Sequence, residues 1–241
     1  MNTSSHSITV SGLDIEVIRK DIRNLHLAVY PPKGRVRVAA PSHVTDENVR
    51  LAVVSRLPWI RKRQKGFQEQ TRQSKREYVI GESHYCFGKK YRLEVDREDK
   101  RPPIEFKNAV TMLLHAPEMS ARSRERIMTE WYRQQLKESV APLVEEWESV
   151  TGIEVRDWRV KRMKTKWGSC NADAGRIWLN LELAKKPMRC IEYILVHEMI
   201  HVLERRHNDR FVAYMDKFMP NWRSRRRELN RFPVVHEDWT Y

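Results

Sequence analysis

The stretch VHEMIHVLERRHNDRF, Val196–Phe211, holds three of the chain's nine histidines and a glutamate within eleven residues. The residues around it set its secondary structure. Ile191, Ile194, Leu195, Ile200 and Leu203 are apolar at helical spacing, and neither glycine nor proline interrupts CIEYILVHEMIHVLERR. Val196 and Val202 have weaker helix propensity, which packing overrides. A helix this apolar is buried on folding, so its histidines need partners. Burying a polar group without compensation costs roughly 2 kcal/mol or more.

His197 and His201 are four residues apart and share one helix face, so both imidazoles can reach one ion. Zinc takes nitrogen ligands in tetrahedral geometry, and a catalytic zinc keeps three protein ligands and one open position. Glu198, beside the first histidine in this HExxH pattern, is placed to act as general base on a water held there. His207 is the best third ligand from the residues, because Asn208 and Asp209 can cap a new helix and turn the chain back. Glu204 and Asp209 remain open as alternatives. The spacing equals that of the metzincin proteases, whose glycine is replaced here by Glu204. A metzincin-type turn is therefore not expected.

The remaining sequence divides in character. Residues 7–38 alternate Val and Ile at period two, with turns at Gly12 and at Pro31–Gly34. From Ser42 the period changes to that of an amphipathic helix with Thr45 as N-cap, and Pro58 either interrupts it or opens a second helix. Residues 77–99 and the run AVTMLLHAP from Ala109 read as strands. After Ser120, Ile127, Trp131, Val140, Leu143, Val144 and Trp147 fall at helical spacing, with Gly152 as the stop and Pro142 expected to kink or split the helix. IEVRDWRVKRM and RIWLNLEL read as strands around a turn at NADAG, and Pro187 opens the histidine helix. The expectation is an α+β fold: a mainly β N-terminal half, residues 1–115, and a helical half with a small antiparallel sheet, residues 116–241, as two regions or one continuous domain.

Composition narrows the function. The chain has 241 residues, 40% of them hydrophobic, enough for a packed core. No apolar run reaches the roughly eighteen residues that a membrane span needs, and the N-terminus has no basic then apolar leader. Three widely spaced cysteines, Cys86, Cys170 and Cys190, form neither a disulfide framework nor a zinc quartet, so the setting expected is cytoplasmic. The net charge of +14 attracts polyanions. Nucleic acid is therefore a candidate partner, through the clusters Arg61, Lys62, Arg63, Lys65 and Arg223, Arg225, Arg226, Arg227, although neither lies in a nucleic-acid motif. His236 is expected at the surface. Nothing in the sequence bears on the oligomeric state.

Four segments carry a resemblance: MKTKWGSC (Met163–Cys170), RIWLNLELAKKP (Arg176–Pro187), VHEMIHVLERRHNDRF, and FMPNWRSRRRELN (Phe218–Asn230). Their order and spacing resemble the YgjP-like metallopeptidases, relatives of the SprT-like and WLM zincins, and the likeness extends more loosely over most of the chain. The resemblance implies a zincin-like fold in the second half and hydrolysis of a polypeptide substrate. It implies Zn2+ held by His197, His201 and His207, with Glu198 as base. SprT-like relatives act on proteins attached to DNA, which the basic charge would suit. In zincins an edge strand holds the extended substrate, and RIWLNLEL is the candidate here. Two other functions fit the residues. One is a nucleic-acid-binding module with a structural zinc, closed by a fourth ligand such as Cys170; the other is zinc hydrolysis of a non-peptide substrate.

Overall fold

The structure is a computed structural model that describes residues 4–30, 34–69, 72–73, 76–97, 102–116, 119–163, 166–231 and 234–235. The turn expected at Pro31–Lys33 and His236 lie outside the described residues. The chain forms two compact units, residues 1–75 with 233–241, and residues 76–232.

In the first unit, β1 (Ser4–Val10) and β2 (Leu13–Lys20) form a hairpin, followed by β3 (His26–Tyr30) and β4 (Arg35–Pro41). The two-residue turn takes positive φ at both positions, Ser11 at 50° and Gly12 at 77°, which matches the twist of a tight hairpin. The sheet order is β1-β2-β4-β3, with β2 parallel to β4. The alternation read from the sequence becomes a two-faced sheet. Ile15, Val17, Val36 and Val38 point to a core shared with Val49 and Val53 of α1 (Asp46–Val54) and Ile60 of α2 (Leu57–Glu69). Thr45 caps α1 by accepting from the Asn48 amide at 3.3 Å. Pro58 stands in the first turn of α2, where its missing N–H costs nothing, so it opens a second helix. The short β5 (Arg72–Gln73) follows.

The second unit opens with β6 (Ser83–Cys86), β7 (Lys89–Asp96), β8 (Ile104–Phe106) and β9 (Thr111–His115), in the order β6-β7-β9-β8. The sequence grouped these strands with the first half. Their apolar face, Leu93, Ile104, Met112 and Leu114, instead shares one core with the helices that follow. Strand periodicity shows that a face is apolar but not which element covers it.

Helix α3 (Ala121–Thr151) runs unsplit through Pro142, against expectation. A mid-helix proline costs about 3 kcal/mol. Leu136, Val140, Val144 and Trp147 bury on both sides of it, at about 1.5–3 kcal/mol for each large side chain, and their sum exceeds that cost. Ser120 caps its start and Gly152, at φ 72°, ends it as read. Next come β10 (Asp157–Lys161), β11 (Gly168–Asn171) and β12 (Arg176–Asn180), in the order β10-β12-β11. This sheet is mixed, not purely antiparallel, because β10 runs parallel to β12. A 3-10 turn, Leu181–Lys185, then leads to α4 (Met188–Leu203), α5 (Asp209–Phe218) and α6 (Trp222–Arg231). The final strand β13 (Val234–Val235) pairs with β5 in the first unit.

The turn between β6 and β7 fixes where α4 starts. Gly88 sits at φ 81°, and a Cβ there would come within 2.7 Å of the Pro187 ring. Gly88→Ala combines the left-handed backbone penalty, roughly 1–2 kcal/mol, with a clash against the N-cap of α4. It should lower unfolding stability by about 2 kcal/mol or more in urea denaturation, whereas alanine at the open, left-handed Gly12 should cost only the backbone part.

Candidate metal centre

Helix α4 carries the histidines on the one part of its surface that the core leaves uncovered. Cys190, Ile191, Leu195, Val196, Met199 and Ile200 are fully buried around it. The His197 and His201 ring centroids are 4.9 Å apart, as expected one turn apart on a single face. The helix then ends at Glu204, in extended backbone at φ −142° and ψ 109°. That conformation suits any residue, so no glycine is required, and the chain still reverses. Two bonds to Glu204 set the turn. Its carbonyl accepts from His201 Nδ1 at 3.0 Å, and its carboxylate accepts from the Arg206 amide at 3.1 Å. Asn208 then starts α5 by accepting from the Phe211 amide at 3.0 Å, the cap read from the sequence.

The turn brings His207 back onto the helix. Its Nε2 lies 2.9 Å from Nε2 of His197 and 3.1 Å from Nε2 of His201. Tetrahedral bonds of 2.0–2.1 Å to one ion would space such nitrogens by roughly 3.3 Å. The three donor atoms lie within 4.8 Å of one another, and among the described residues no carboxylate or thiol joins them. Glu204 is engaged in the turn, Asp209 is exposed in the first turn of α5, and Cys170 stands outside the group. The donor set fits a metal ion.

Phe211, which the motif did not reveal, holds the three rings. Its centroid lies 4.7–4.9 Å from each of them. The signal was present in the sequence as an apolar residue one turn beyond His207. The buried Nδ1 of His197 has no hydrogen-bond partner among the described residues. Packing against Phe211 and Tyr193, the latter 5.8 Å away, therefore orients that ring. Burial, helped by the neighbouring histidines and Arg226, pushes His197 down to about 3. His207 is lowered by burial, His201 and Arg226. Neutral imidazoles keep the lone pairs that a metal needs.

Glu198 is 6% exposed and lies beside the histidines, against the backbone of β11. A Cβ on Gly168 would stand 2.6 Å from Glu198 Cγ and 2.7 Å from its Oε1. Gly168 is thus the space that the carboxylate occupies, and this gives WGSC a role at the site. Burial raises the Glu198 carboxyl to about 7, with Lys166 pulling the other way. Cys170 is a half-buried thiol pushed up to about 11 by burial and then by Glu198. Tyr214 accepts a hydrogen bond from Arg210.

The strand expected to hold an extended peptide does not have a free edge. RIWLN forms β12, paired on both sides by β10 and β11. An edge belongs to β11, which pairs only with β12 and begins at Gly168. Periodicity identifies strands but not their order in a sheet.

Asn180, also missed in the sequence, fixes the approach to β11. Its amide nitrogen donates to the carbonyls of Met163 at 2.9 Å and Lys166 at 2.8 Å, while its oxygen accepts from the amides of Met163 at 3.3 Å and Glu182 at 3.2 Å. The side chain is buried, so its loss leaves backbone groups unpaired. Asn180→Ala should cost about 2–4 kcal/mol in chemical denaturation. Asn180→Asp, which keeps the shape but loses both donors, should cost no less than 1 kcal/mol; a neutral Asn180→Asp would mean that the two donated bonds contribute nothing.

Three comparisons place the chain among known proteins. It matches the YgjP-like metallopeptidase domain over residues 23–232. No curated protein sequence matches it. Among solved structures it is similar to the crystal structure of the metallopeptidase zymogen of Pyrococcus abyssi abylysin, at 21% identity and a TM-score of 0.35, over 39% of this chain and 99% of that one. With most of its length inside the domain match, the chain belongs to the YgjP-like family of metallopeptidases.

Proposed function

We propose that this metallopeptidase is a zinc enzyme of the HExxH type that hydrolyses peptide bonds, with His197, His201 and His207 as ligands and Glu198 as general base. The observation that carries the reading is the convergence of three imidazole Nε2 atoms, with a buried carboxylate beside them and no fourth donor among the described residues. Structural zinc sites are closed by four protein ligands, whereas catalytic ones keep a position open. The all-nitrogen set suits zinc.

Bound zinc would polarise the scissile carbonyl and acidify the attacking water. Glu198 takes one proton from that water as its oxygen bonds to the carbonyl carbon. The same carboxyl then delivers the proton to the amide nitrogen as the C–N bond breaks, leaving an acid and an amine. A carboxyl raised by burial suits this return step, because it accepts and releases a proton near neutrality. The free edge of β11, starting where Gly168 meets Glu198, offers backbone hydrogen bonds to an extended polypeptide. The three free cysteines suit a reducing, cytoplasmic setting. Among the described residues no helix is long and apolar enough to cross a membrane.

Metal analysis and turnover of an unfolded protein such as casein test the assignment. His207→Ala should bind zinc at least tenfold more weakly. Glu198→Gln should keep one zinc per chain and lose activity by a factor of about 10³ or more; full activity in that variant would remove Glu198 from the mechanism. Gly168→Ala probes the same carboxylate from the other side. It should keep zinc and fold while turnover falls more than tenfold, because the new methyl group occupies the space of Glu198. Unchanged turnover would show that the close approach has no bearing on the reaction.

A further inference from the structure

The four arginines Arg223, Arg225, Arg226 and Arg227 read in the sequence as one basic cluster, but the structure gives them different tasks. Arg223 pairs with Asp216, and Arg225 pairs with Glu192 of α4. Arg189 of α4 pairs with Glu228. The partners run in opposite directions along the two helices, so α6 lies antiparallel to α4 with its N-terminal end toward the histidines. Trp222 stacks on Tyr193 at 6.5 Å and 10°, and Tyr193 in turn meets His197.

Arg226 is one turn beyond Trp222 on the same face of α6. Side chains on a helix lean toward its N-terminus, which here is the direction of His197. The guanidinium field reaches His197, His207 and Tyr193. Arg226 is exposed, and among the described residues it has no hydrogen bond or ion pair. A cation without a carboxylate, facing three neutral ligands arranged for a dication, is repelled when the site is loaded. An anion between them removes that repulsion. Amide hydrolysis creates one on the carbonyl oxygen. Geometry also selects the flank: Arg226 acts on His197 and His207, while the cation acting on Glu198 is Lys166.

We propose that Arg226 is a catalytic residue that receives the negative charge developing on the scissile carbonyl oxygen, on the flank of the site opposite Glu198. This rests on the zinc peptidase reading above. It adds the group that this reading lacks, a donor preorganised for the oxyanion.

The test uses the full zinc-loaded chain with Arg226→Ala, Arg226→Lys and, as a control on the same helix, Arg227→Ala. Loss of one such donor lowers kcat by roughly 10²–10³, so Arg226→Ala should show that fall with KM nearly unchanged and zinc retained. Arg226→Lys should recover part of it, and Arg227→Ala should match the native chain. A second readout does not need turnover. A peptidyl phosphonate, whose tetrahedral anion mimics the oxyanion, and a peptide thiol of the same sequence are titrated by calorimetry. Arg226→Ala should weaken the phosphonate at least tenfold and the thiol by less than twofold. Equal effects on both ligands, or none on either, overturn the proposal. So does a loss confined to KM for peptides with a free C-terminal carboxylate and absent for amide-capped ones, which would make Arg226 a carboxylate-binding residue. If the native zinc-loaded chain hydrolyses no peptide, the peptidase reading falls, and the phosphonate comparison still decides whether Arg226 meets an anion at the metal centre.

Discussion

A helix buried around most of its circumference must find partners for every polar group it carries, and α4 carries two imidazoles and a carboxylate inside such a setting. Much of the second unit follows from that requirement. The chain leaves α4 through a turn that returns a third imidazole to the first two. Phe211 fills the space beneath the rings, so that packing fixes what hydrogen bonds do not. On the other side, β11 begins with the one residue type that lets a backbone lie against the Glu198 carboxylate. Each is a local solution to the same problem, which is to keep polar groups dry, oriented and not satisfied by one another.

The supports of the site lie behind it. Asn180 ties together two segments that meet only in the folded chain, the approach to β11 and the 3-10 turn before α4. Ion pairs from Arg189 and Arg225 fasten α6 to α4. Much of the second basic cluster is thereby used within the fold. The net charge of +14 is thus a weaker argument for nucleic acid than the sequence alone makes it. Arg61, Lys62 and Arg63 on α2 remain exposed, and Arg63 lies over the Trp59 ring.

Local signals were legible in the sequence. Thr45, Ser120, Gly152 and Asn208 have side chains or backbone freedom that fix a helix end within a few residues, so their roles follow from their neighbours alone. The HExxH pair was legible for the same reason, since a spacing of four is one helical turn. What could not be read depends on distant partners. The order β10-β12-β11 puts RIWLN in the middle of its sheet, and nothing in its own residues says so. Pro142 obeys its local rule in energy but not in outcome, because the side chains that outweigh it are buried by elements far away in sequence. Gly168 and Asn180 are ordinary residues whose importance appears only when their neighbours are known.

The end of α4 bears on how such centres are found. Glu204 leaves the helix in extended backbone and serves the turn with both its carbonyl and its carboxylate. A glycine between the second and third histidines therefore marks one handedness of exit from the helix, and not the ligand set itself. Chains that leave through an extended residue reach the same three-nitrogen arrangement with a side chain to spare. A search pattern that insists on the glycine sorts zincin-like sequences by the route the backbone takes, and passes over those that arrive at the same chemistry by another.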